Sequence, residues 1–153
     1  MINNFNINYK ELQGYTLMPY LLVGENRRNY TVKEWLYILN TVVCRAGRED
    51  RWPDTIEGVI LQPKQFSCFN EGDPGRSLLV NLYNGVASHE NMMILSNAKH
   101  VVEAFTETGG GKGFFYTDHY VSKSFYSSAP SNHWCKQYRK VLEAGEHVFI
   151  SSK

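Results

Sequence analysis

Residues 20–26, with the sequence YLLVGEN, join an apolar run to one carboxylate, Glu25. The basic and polar sequence RRN follows at residues 27–29. An apolar segment that ends in a single acid can place that acid at the edge of a cleft, where partial desolvation raises the pKa of its carboxyl group. Such a group can donate a proton near neutral pH. Taken alone, however, the stretch fits a solvated glutamate at the end of a core helix better than a proton donor.

A capping box follows this stretch, with Thr31 as the N-cap and Glu34 at the third helical position. Behind it, apolar residues recur at helical spacing: Val32, Trp35, Leu36, Leu39, Val42 and Val43. Gly47 is a typical helix stop. We therefore expect a helix over about residues 32–46, with its apolar stripe in the core. Asn40 lies near that stripe, where a polar side chain either satisfies a neighbouring backbone group or reaches a cleft.

The C-terminal third is predicted to contain a loop, a helix and a strand. Residues 122–133 are rich in serine and asparagine, which is typical of a loop. A last helix is expected to start at Pro130 and to end at Gly145. Four of its residues recur at helical spacing: Trp134, Tyr138, Val141 and Leu142. A short strand-like run follows at residues 147–150.

Composition excludes several classes of protein. The chain has 153 residues, 42% hydrophobic and 20% charged, which predicts one globular domain over residues 1–153. A net charge of +1 without a basic block indicates that nucleic acid is not a partner. The longest apolar run, residues 15–23, is too short to span a bilayer, so no stable membrane insertion is expected. Residues 1–6 do not resemble a signal peptide, which predicts synthesis in the cytoplasm.

Cysteine and metal chemistry receive little support from the sequence. Three cysteines lie far apart without a CxxC pair: Cys44, Cys68 and Cys135. Five histidines occur without an HExxH motif: His89, His100, His119, His133 and His147. Because zinc sites can be built from residues that are distant in sequence, a metalloenzyme stays an alternative. The expectation is that the protein has no metal ion and no organic cofactor, and that His147 has a structural hydrogen-bonding role.

Several short motifs occur in order along the chain. Residues 24–25 (GE) come first, followed by the helix with Asn40, QFS at residues 65–67, and GEHVF at residues 145–149. This order resembles the SleB-type cell wall hydrolases, a family of spore-cortex-lytic enzymes and phage lysins with a lysozyme-like fold. Members have Gly-Glu or Ala-Glu at the end of the first core helix, Asn-Arg-Val on the next, then Gln-Phe-Ser, and Gly-x-His-x-Phe near the end. The resemblance covers roughly residues 18–150.

The sequence departs from the family pattern at several places, including residues 121–129, which look like an insertion. The family's glutamate is usually followed by Ala-Arg-Gly-Glu, where residues 26–29 read NRRN. Asn40 is followed by Thr41 instead of arginine. The family also has Pro-x-Trp near its end, with one residue between proline and tryptophan, whereas three residues separate Pro130 from Trp134. None of these differences removes Glu25 or the QFS motif.

The resemblance implies an α+β, mainly helical fold of lysozyme-like type, with a small β element in a single domain. It also implies that the substrate is the glycan strand of peptidoglycan, cut at the β-1,4 bond between N-acetylmuramic acid and N-acetylglucosamine. Such a cut needs a carboxyl group that protonates the leaving oxygen, and Glu25 is the candidate for this group.

Two reaction types fit Glu25. A lytic transglycosylase needs one carboxyl group, which later acts as base on the muramic acid 6-hydroxyl and produces a 1,6-anhydro sugar. A hydrolytic muramidase needs a second carboxylate about 5 to 9.5 Å away. Seven acids are available without a feature that selects one: Glu34, Asp50, Asp54, Glu57, Glu71, Asp73 and Asp118. The sequence therefore favours the transglycosylase.

Five further residues are candidates for substrate binding. The Gln65 amide, with Ser67 near it, would meet a sugar hydroxyl or an N-acetyl group. Tyr116 and Trp134 would form stacking walls for sugar rings, although aromatic side chains more often fill cores. Asn40 would reach the same cleft from its helix.

The biological expectation is a monomeric phage or prophage endolysin that reaches the periplasm and cell wall through holin pores. A virion-associated lysin is equally compatible with the sequence. Two alternatives come from other classes of protein. One is a metal-dependent peptidoglycan amidase or endopeptidase. The other is a non-enzymatic glycan-binding or virion protein, in which the changes around Glu25 and Asn40 mean lost activity.

Overall fold

The computed structural model describes residues 14–48, 50–62, 65–70 and 72–153. The helices of this part are α1 Gly14–Glu25, α2 Val32–Ala46, α3 Ile56–Ile60, α4 Pro74–Tyr83, α5 His89–Glu107, α6 Lys123–Ser128 and α7 Trp134–Gln137. A 3-10 turn spans Ser67–Phe69, and the strands are β1 His119–Ser122, β2 Arg139–Ala144 and β3 His147–Ser151. The predicted α+β, mainly helical architecture is confirmed. Among the described residues, none of the helices combines the length and apolar character needed to cross a membrane.

Helix α1 lies at the centre of the helical layer. It is apolar on nearly every side, and every residue from Leu17 to Val23 is buried. It packs against α3, α4 and α5. Gly24 allows a close approach near its end, because a Cβ atom there would collide with the side chain of Cys68. The apolar run thus fixes α1 in the core and leaves Glu25 as its last residue.

Helix α2 confirms the prediction for residues 32–46. Both halves of the capping box are present: Glu34 N donates to Thr31 Oγ1 at 3.1 Å, and Thr31 N donates to Glu34 Oε1 at 3.3 Å. In the apolar stripe, Trp35, Leu39 and Val42 are fully enclosed. Leu36 and Val43 are partly buried, and Val32 in the first turn is exposed, contrary to the prediction for that position. Gly47 is the C-cap.

The three strands form an antiparallel sheet in the order β1-β3-β2. In the β1–β3 pair, Tyr120 lies opposite Phe149 and Ser122 lies opposite His147. Gly145 makes the turn between β2 and β3 with a φ of +56°, a conformation that favours glycine. The strand predicted at residues 147–150 is confirmed and extends to Ser151.

The prediction of a last helix from Pro130 to Gly145 is wrong. Helix α7 covers only Trp134–Gln137, and residues 139–144 pair with β3 as β2. A register shift between Lys140 and Leu142 interrupts the two-residue alternation by which a strand is recognised in sequence. The predicted loop at residues 122–133 also contains α6, which begins where Ser122 Oγ accepts a hydrogen bond from Phe125 N.

Candidate active site

Glu25 lies half-buried at the end of α1, beside a groove of about 460 Å³. Residues 23–29 and Glu146 line this space, which we call the Glu25 groove. The hydroxyl of Tyr120, on β1, donates a hydrogen bond to Glu25 Oε1. In the described part of the chain, Glu25 Oε2 has no hydrogen-bond partner. One carboxyl oxygen is therefore held by the sheet while the other is left for the groove.

The surroundings of Glu25 favour its protonated form. Burial raises the pKa of Glu25, and the negative charge of Asp73 adds to this effect. The hydrogen bond from Tyr120 and the nearby groups His147 and Arg45 act in the opposite direction but do not cancel the rise in pKa. Burial and the neighbouring Glu25 also raise the pKa of the Tyr120 phenol well above its ordinary value, so that Tyr120 stays a hydrogen-bond donor. The site therefore holds a carboxyl group suited to donating a proton.

The QFS segment, residues 65–67, lies next to Tyr120. The Phe66 ring stacks near the Tyr120 ring, with 6.5 Å between centroids. Gln65 and Ser67 are both exposed at this place. Gln65 and Ser67 are the neighbours of Phe66 in the chain, and Phe66 packs against Tyr120, which binds Glu25. Among the predicted binding residues, these two are connected to Glu25 in this way.

Arg45 joins α2 to this segment and to the approach to β1. Its Nη1 donates to Gln65 Oε1 at 3.3 Å and its Nε donates to Asp118 O at 2.7 Å. The buried guanidinium also lies 5.5 Å from the centroid of the Phe66 ring. Sequence reasoning missed this residue because it selected Asn40, about one helical turn earlier on the same helix.

Glu34 is the centre of a second buried cluster next to the groove. Besides Thr31 N, its carboxylate accepts hydrogen bonds from Asn26 Nδ2 at 3.0 Å, Glu146 N at 2.9 Å and His147 Nδ1 at 2.6 Å. Burial alone would raise the pKa of Glu34, but the hydrogen bonds from His147, Glu146 N and Asn26 outweigh it and lower the pKa. Glu34 is thus held as an anion.

This cluster explains the GEHVF motif of residues 145–149. A Cβ atom on Gly145 would collide with the Glu34 carboxylate, so only glycine leaves room for that carboxylate. His147 binds Glu34, and its ring lies nearly perpendicular to the Tyr120 ring, with 5.1 Å between centroids. The motif therefore connects the anion of Glu34 to the tyrosine that holds Glu25.

None of the five predicted binding residues belongs to the lining of the Glu25 groove, and three of them lie elsewhere in the fold. Asn40 is buried, and its Nδ2 donates to Phe115 O at 2.9 Å and Thr117 Oγ1 at 3.1 Å. Tyr116 donates to Asp118 Oδ2 at 3.0 Å. Trp134 is partly exposed. The Asn40 amide is thus committed to the protein backbone and to Thr117, as the structural interpretation of that position expects.

Most of the other carboxylates are engaged elsewhere. Asp118 is fully buried and accepts hydrogen bonds from Tyr116, His119 and Ser152. Burial would raise its pKa, but the hydrogen bonds from His119 and Ser152 hold the pKa far below the ordinary value. Asp73 caps α4 by accepting a hydrogen bond from Gly75 N at 2.8 Å. Asp50 pairs with Arg48 at 3.2 Å.

Two predictions about other groups can be placed. Glu71, one of the possible second carboxylates, lies outside the described residues. Among the described residues, no three His, Cys, Asp or Glu side chains are grouped so that they could hold a metal ion.

Comparison with models of known protein families identifies the family of the chain. The family model for cell wall hydrolases matches residues 31–150. The chain belongs to the cell wall hydrolase family. This hydrolase is therefore an enzyme that acts on peptidoglycan. The match begins at Thr31, so the assignment of Glu25 depends on the geometry of the site.

A solved structure supports the fold of the hydrolase. The catalytic domain of the germination-specific lytic transglycosylase SleB from Bacillus anthracis has a similar structure, with a TM-score of 0.51 and 16% sequence identity. The similarity covers 99% of this chain and 100% of that domain. At this identity, the likeness shows a shared fold. A search of curated proteins found no match.

Proposed function

We propose that this cell wall hydrolase is a lytic transglycosylase. Its substrate is the β-1,4 bond between N-acetylmuramic acid and N-acetylglucosamine, and Glu25 acts first as acid and then as base. The observation that carries this proposal is the single half-buried carboxyl group in the Glu25 groove, with a raised pKa and one oxygen held by Tyr120. The shared fold with the catalytic domain of a lytic transglycosylase also supports it.

The reaction follows from the two carboxyl oxygens. Protonated Glu25 donates its proton to the glycosidic oxygen, and the bond from that oxygen to C1 of muramic acid breaks. The N-acetylglucosamine leaves with a free 4-hydroxyl group, and positive charge develops at C1. The Glu25 carboxylate then accepts the proton of the muramic acid 6-hydroxyl, whose oxygen attacks C1 and closes the 1,6-anhydro ring. No water is consumed, and Glu25 ends protonated again.

Tyr120 and the Glu34 cluster give this cycle its geometry. Tyr120 fixes the orientation of the carboxyl group through Oε1, so that Oε2 can face the substrate. His147, itself fixed by Glu34, packs against the Tyr120 ring. Exposed Gln65, next to Phe66, would contact the sugar hydroxyl or N-acetyl groups, with Ser67 beside it.

A hydrolytic muramidase is the second candidate function. The negative charge of Asp73 acts on Glu25 and raises its pKa, so Asp73 is the described carboxylate that would serve as the second catalytic group. Its hydrogen bond from Gly75 N keeps it at the start of α4. In this mechanism, water attacks C1 and the product has a reducing end.

The test is mass spectrometry of the fragments released from purified peptidoglycan. Fragments ending in 1,6-anhydro-muramic acid are expected with the wild type and with Glu90→Gln, an exposed acid on α5, but not with Glu25→Gln. Reducing-end muramic acid that is lost in Asp73→Asn would identify the muramidase. Cut stem peptides with intact glycan strands would overturn the assignment of Glu25.

The biological setting proposed is that of a monomeric phage or prophage endolysin, and it rests on the resemblance to phage lysins. Such an enzyme is made in the cytoplasm and lyses the cell once it can pass the inner membrane. Expression of the chain together with a pore-forming holin should cause lysis, whereas Glu25→Gln should not. Lysis activity found in purified virions instead would identify a virion-associated lysin.

A further inference from the structure

The Glu25 groove contains two cationic side chains that the proposed reaction does not use. Arg27 and Arg28 both line it, with Arg27 half-buried and Arg28 exposed. Across the described ranges of the chain, neither makes a hydrogen bond or an ion pair. By contrast, Arg45 donates to Gln65 and Asp118 O, and Arg51 donates to Ser152 Oγ at 2.8 Å.

The acidic side chains of the groove do not pair with these arginines. They are Glu25 and Glu146. Glu25 Oε1 accepts a hydrogen bond from Tyr120, and exposed Glu146 accepts one from Asn29 Nδ2 at 3.5 Å. Among the described residues, both guanidinium groups are therefore left without an anionic partner next to the proton donor.

The sequence places both arginines directly after the proton donor. Residues 26–29 read NRRN, so two arginines occur within three positions of Glu25, and both belong to the lining of the groove.

We propose that Arg27 and Arg28 form a carboxylate-binding subsite that recognises the anionic substituent of muramic acid. This inference rests on the proposed function, because it assumes that a glycan strand occupies the Glu25 groove. Muramic acid differs from N-acetylglucosamine by its lactyl group, which carries either a free carboxylate or a stem peptide with carboxylates. Guanidinium groups bind carboxylates through paired, charge-assisted hydrogen bonds. The subsite would place muramic acid, instead of N-acetylglucosamine, next to the proton donor.

The test uses glycan strands whose carboxylates can be neutralised. One preparation lacks stem peptides and carries the lactyl carboxylate, and another keeps the peptides. Each is used before and after carbodiimide amidation with methylamine, which leaves the sugars unchanged. Binding is measured with Glu25→Gln as the parent, so that no strand is cut, and Arg27→Gln/Arg28→Gln is added to it.

The control variant, Arg139→Gln, removes one arginine charge at a position away from the groove. Arg139 is exposed at the start of β2, whereas Glu146 follows the opposite end of that strand. We expect Arg27→Gln/Arg28→Gln to weaken binding of unmodified strands by about tenfold or more relative to the parent. On amidated strands, the double variant and the parent should bind equally well. Arg139→Gln should bind every preparation as tightly as the parent does. The loss should shrink with added salt.

Each result has one meaning for the subsite. A loss confined to peptide-free strands identifies the lactyl carboxylate, and a loss confined to peptide-bearing strands identifies the stem peptide. Equal binding by the parent and the double variant, or an equal loss on amidated strands, would overturn the subsite. Absence of cleavage by the wild type would defeat the proposed function, while the binding measurement would still decide about the arginines.

Discussion

Glu25 and Glu34 are successive glutamates in the chain, one at the end of α1 and one in the first turn of α2, yet their environments are opposite. Glu25 accepts a hydrogen bond from one group, Tyr120. Glu34 accepts hydrogen bonds from four groups, two of them contributed by the β3 region at residues 146 and 147. Burial raises the pKa of Glu25, whereas hydrogen bonds overcome burial and lower the pKa of Glu34.

The difference shows what separates an acid catalyst from a structural anion in the same fold. Both carboxyl groups are removed from bulk water, which disfavours charge. The number of donors that converge on each group decides the outcome, because every hydrogen bond to the carboxylate favours the charged form. Glu34 is thus suited to holding His147 and the turn at Gly145, while Glu25 is suited to giving up a proton.

The largest effect is expected from Glu25→Gln. The glutamine keeps the shape of the side chain but cannot donate the proton, so kcat should fall by about 10²- to 10⁴-fold. The unfolding temperature should not fall, because the amide oxygen of glutamine can still accept the hydrogen bond from Tyr120. Release of 1,6-anhydro fragments from peptidoglycan measures the rate. Turnover close to that of the wild type would show that another residue protonates the leaving group.

Glu34→Gln should mainly change stability. It removes a fully buried anion and leaves His147 without its charged partner, which should lower the free energy of unfolding by about 3 kcal/mol. Denaturant unfolding followed by tryptophan fluorescence measures the loss, with Glu90→Gln as a control that should change little. A variant as stable as the wild type, but inactive, would instead assign Glu34 to the chemistry and end the contrast.

Tyr120→Phe should increase the difference between the two glutamates, because it removes the hydrogen bond that the Glu25 carboxyl group accepts. Since that bond lowers the pKa of Glu25, its loss should raise the pKa further and move the alkaline limb of the kcat–pH profile to higher pH. The poorer orientation of the carboxyl group should reduce kcat by about fivefold, the effect of ~1 kcal/mol. Tyr126→Phe on α6 is the matched control. An alkaline limb that moves to lower pH would contradict the assignment of that limb to Glu25.

The smallest effect is a pair of opposite pH slopes in stability. The lowered pKa of Glu34 means that its contribution is present above the ordinary carboxyl pKa and is lost as pH falls through the lowered value. The raised pKa of Glu25 means that its contribution is present below the ordinary value and is lost as pH rises through the raised value.

Unfolding temperatures measured across acid and neutral pH test these slopes. The unfolding temperature of Glu34→Gln should come closer to that of the wild type as pH falls. The unfolding temperature of Glu25→Gln should rise relative to that of the wild type as pH rises. Parallel curves for all three proteins would show that neither glutamate has a pKa that differs between the folded and unfolded states.

Local features of the fold could be read from the sequence. The capping box of Thr31 and Glu34 and the stop at Gly47 involve neighbours in the chain, and they define α2 as predicted. Strand β2 was missed because its identity depends on pairing with β3, and its register shift hides the strand alternation. Pairing partners are not visible in one strand's own composition.

The site was only partly accessible to sequence reasoning for the same cause. A glutamate at the end of an apolar helix is a local pattern, whereas the tyrosine that meets it is fixed by the register of β1 on β3. That register places Tyr120 opposite Phe149 and against Glu25, while Tyr116, which sequence reasoning selected, lies before the strand and binds Asp118. Arg45 was missed because its contacts with Gln65 and Asp118 O join segments that are distant in sequence.

The hairpin of β2 and β3 also sets the order in which the site can be built. Glu25 and Tyr120 are separated by 95 residues, and Glu34 and His147 by 113. A chain made from its N-terminus carries both glutamates long before the ribosome has added the residues that tell them apart. Until the sheet forms, Glu34 has only its local donors, Thr31 N and Asn26, and Glu25 lacks Tyr120, so the two environments become fully different only when the last strand completes the sheet.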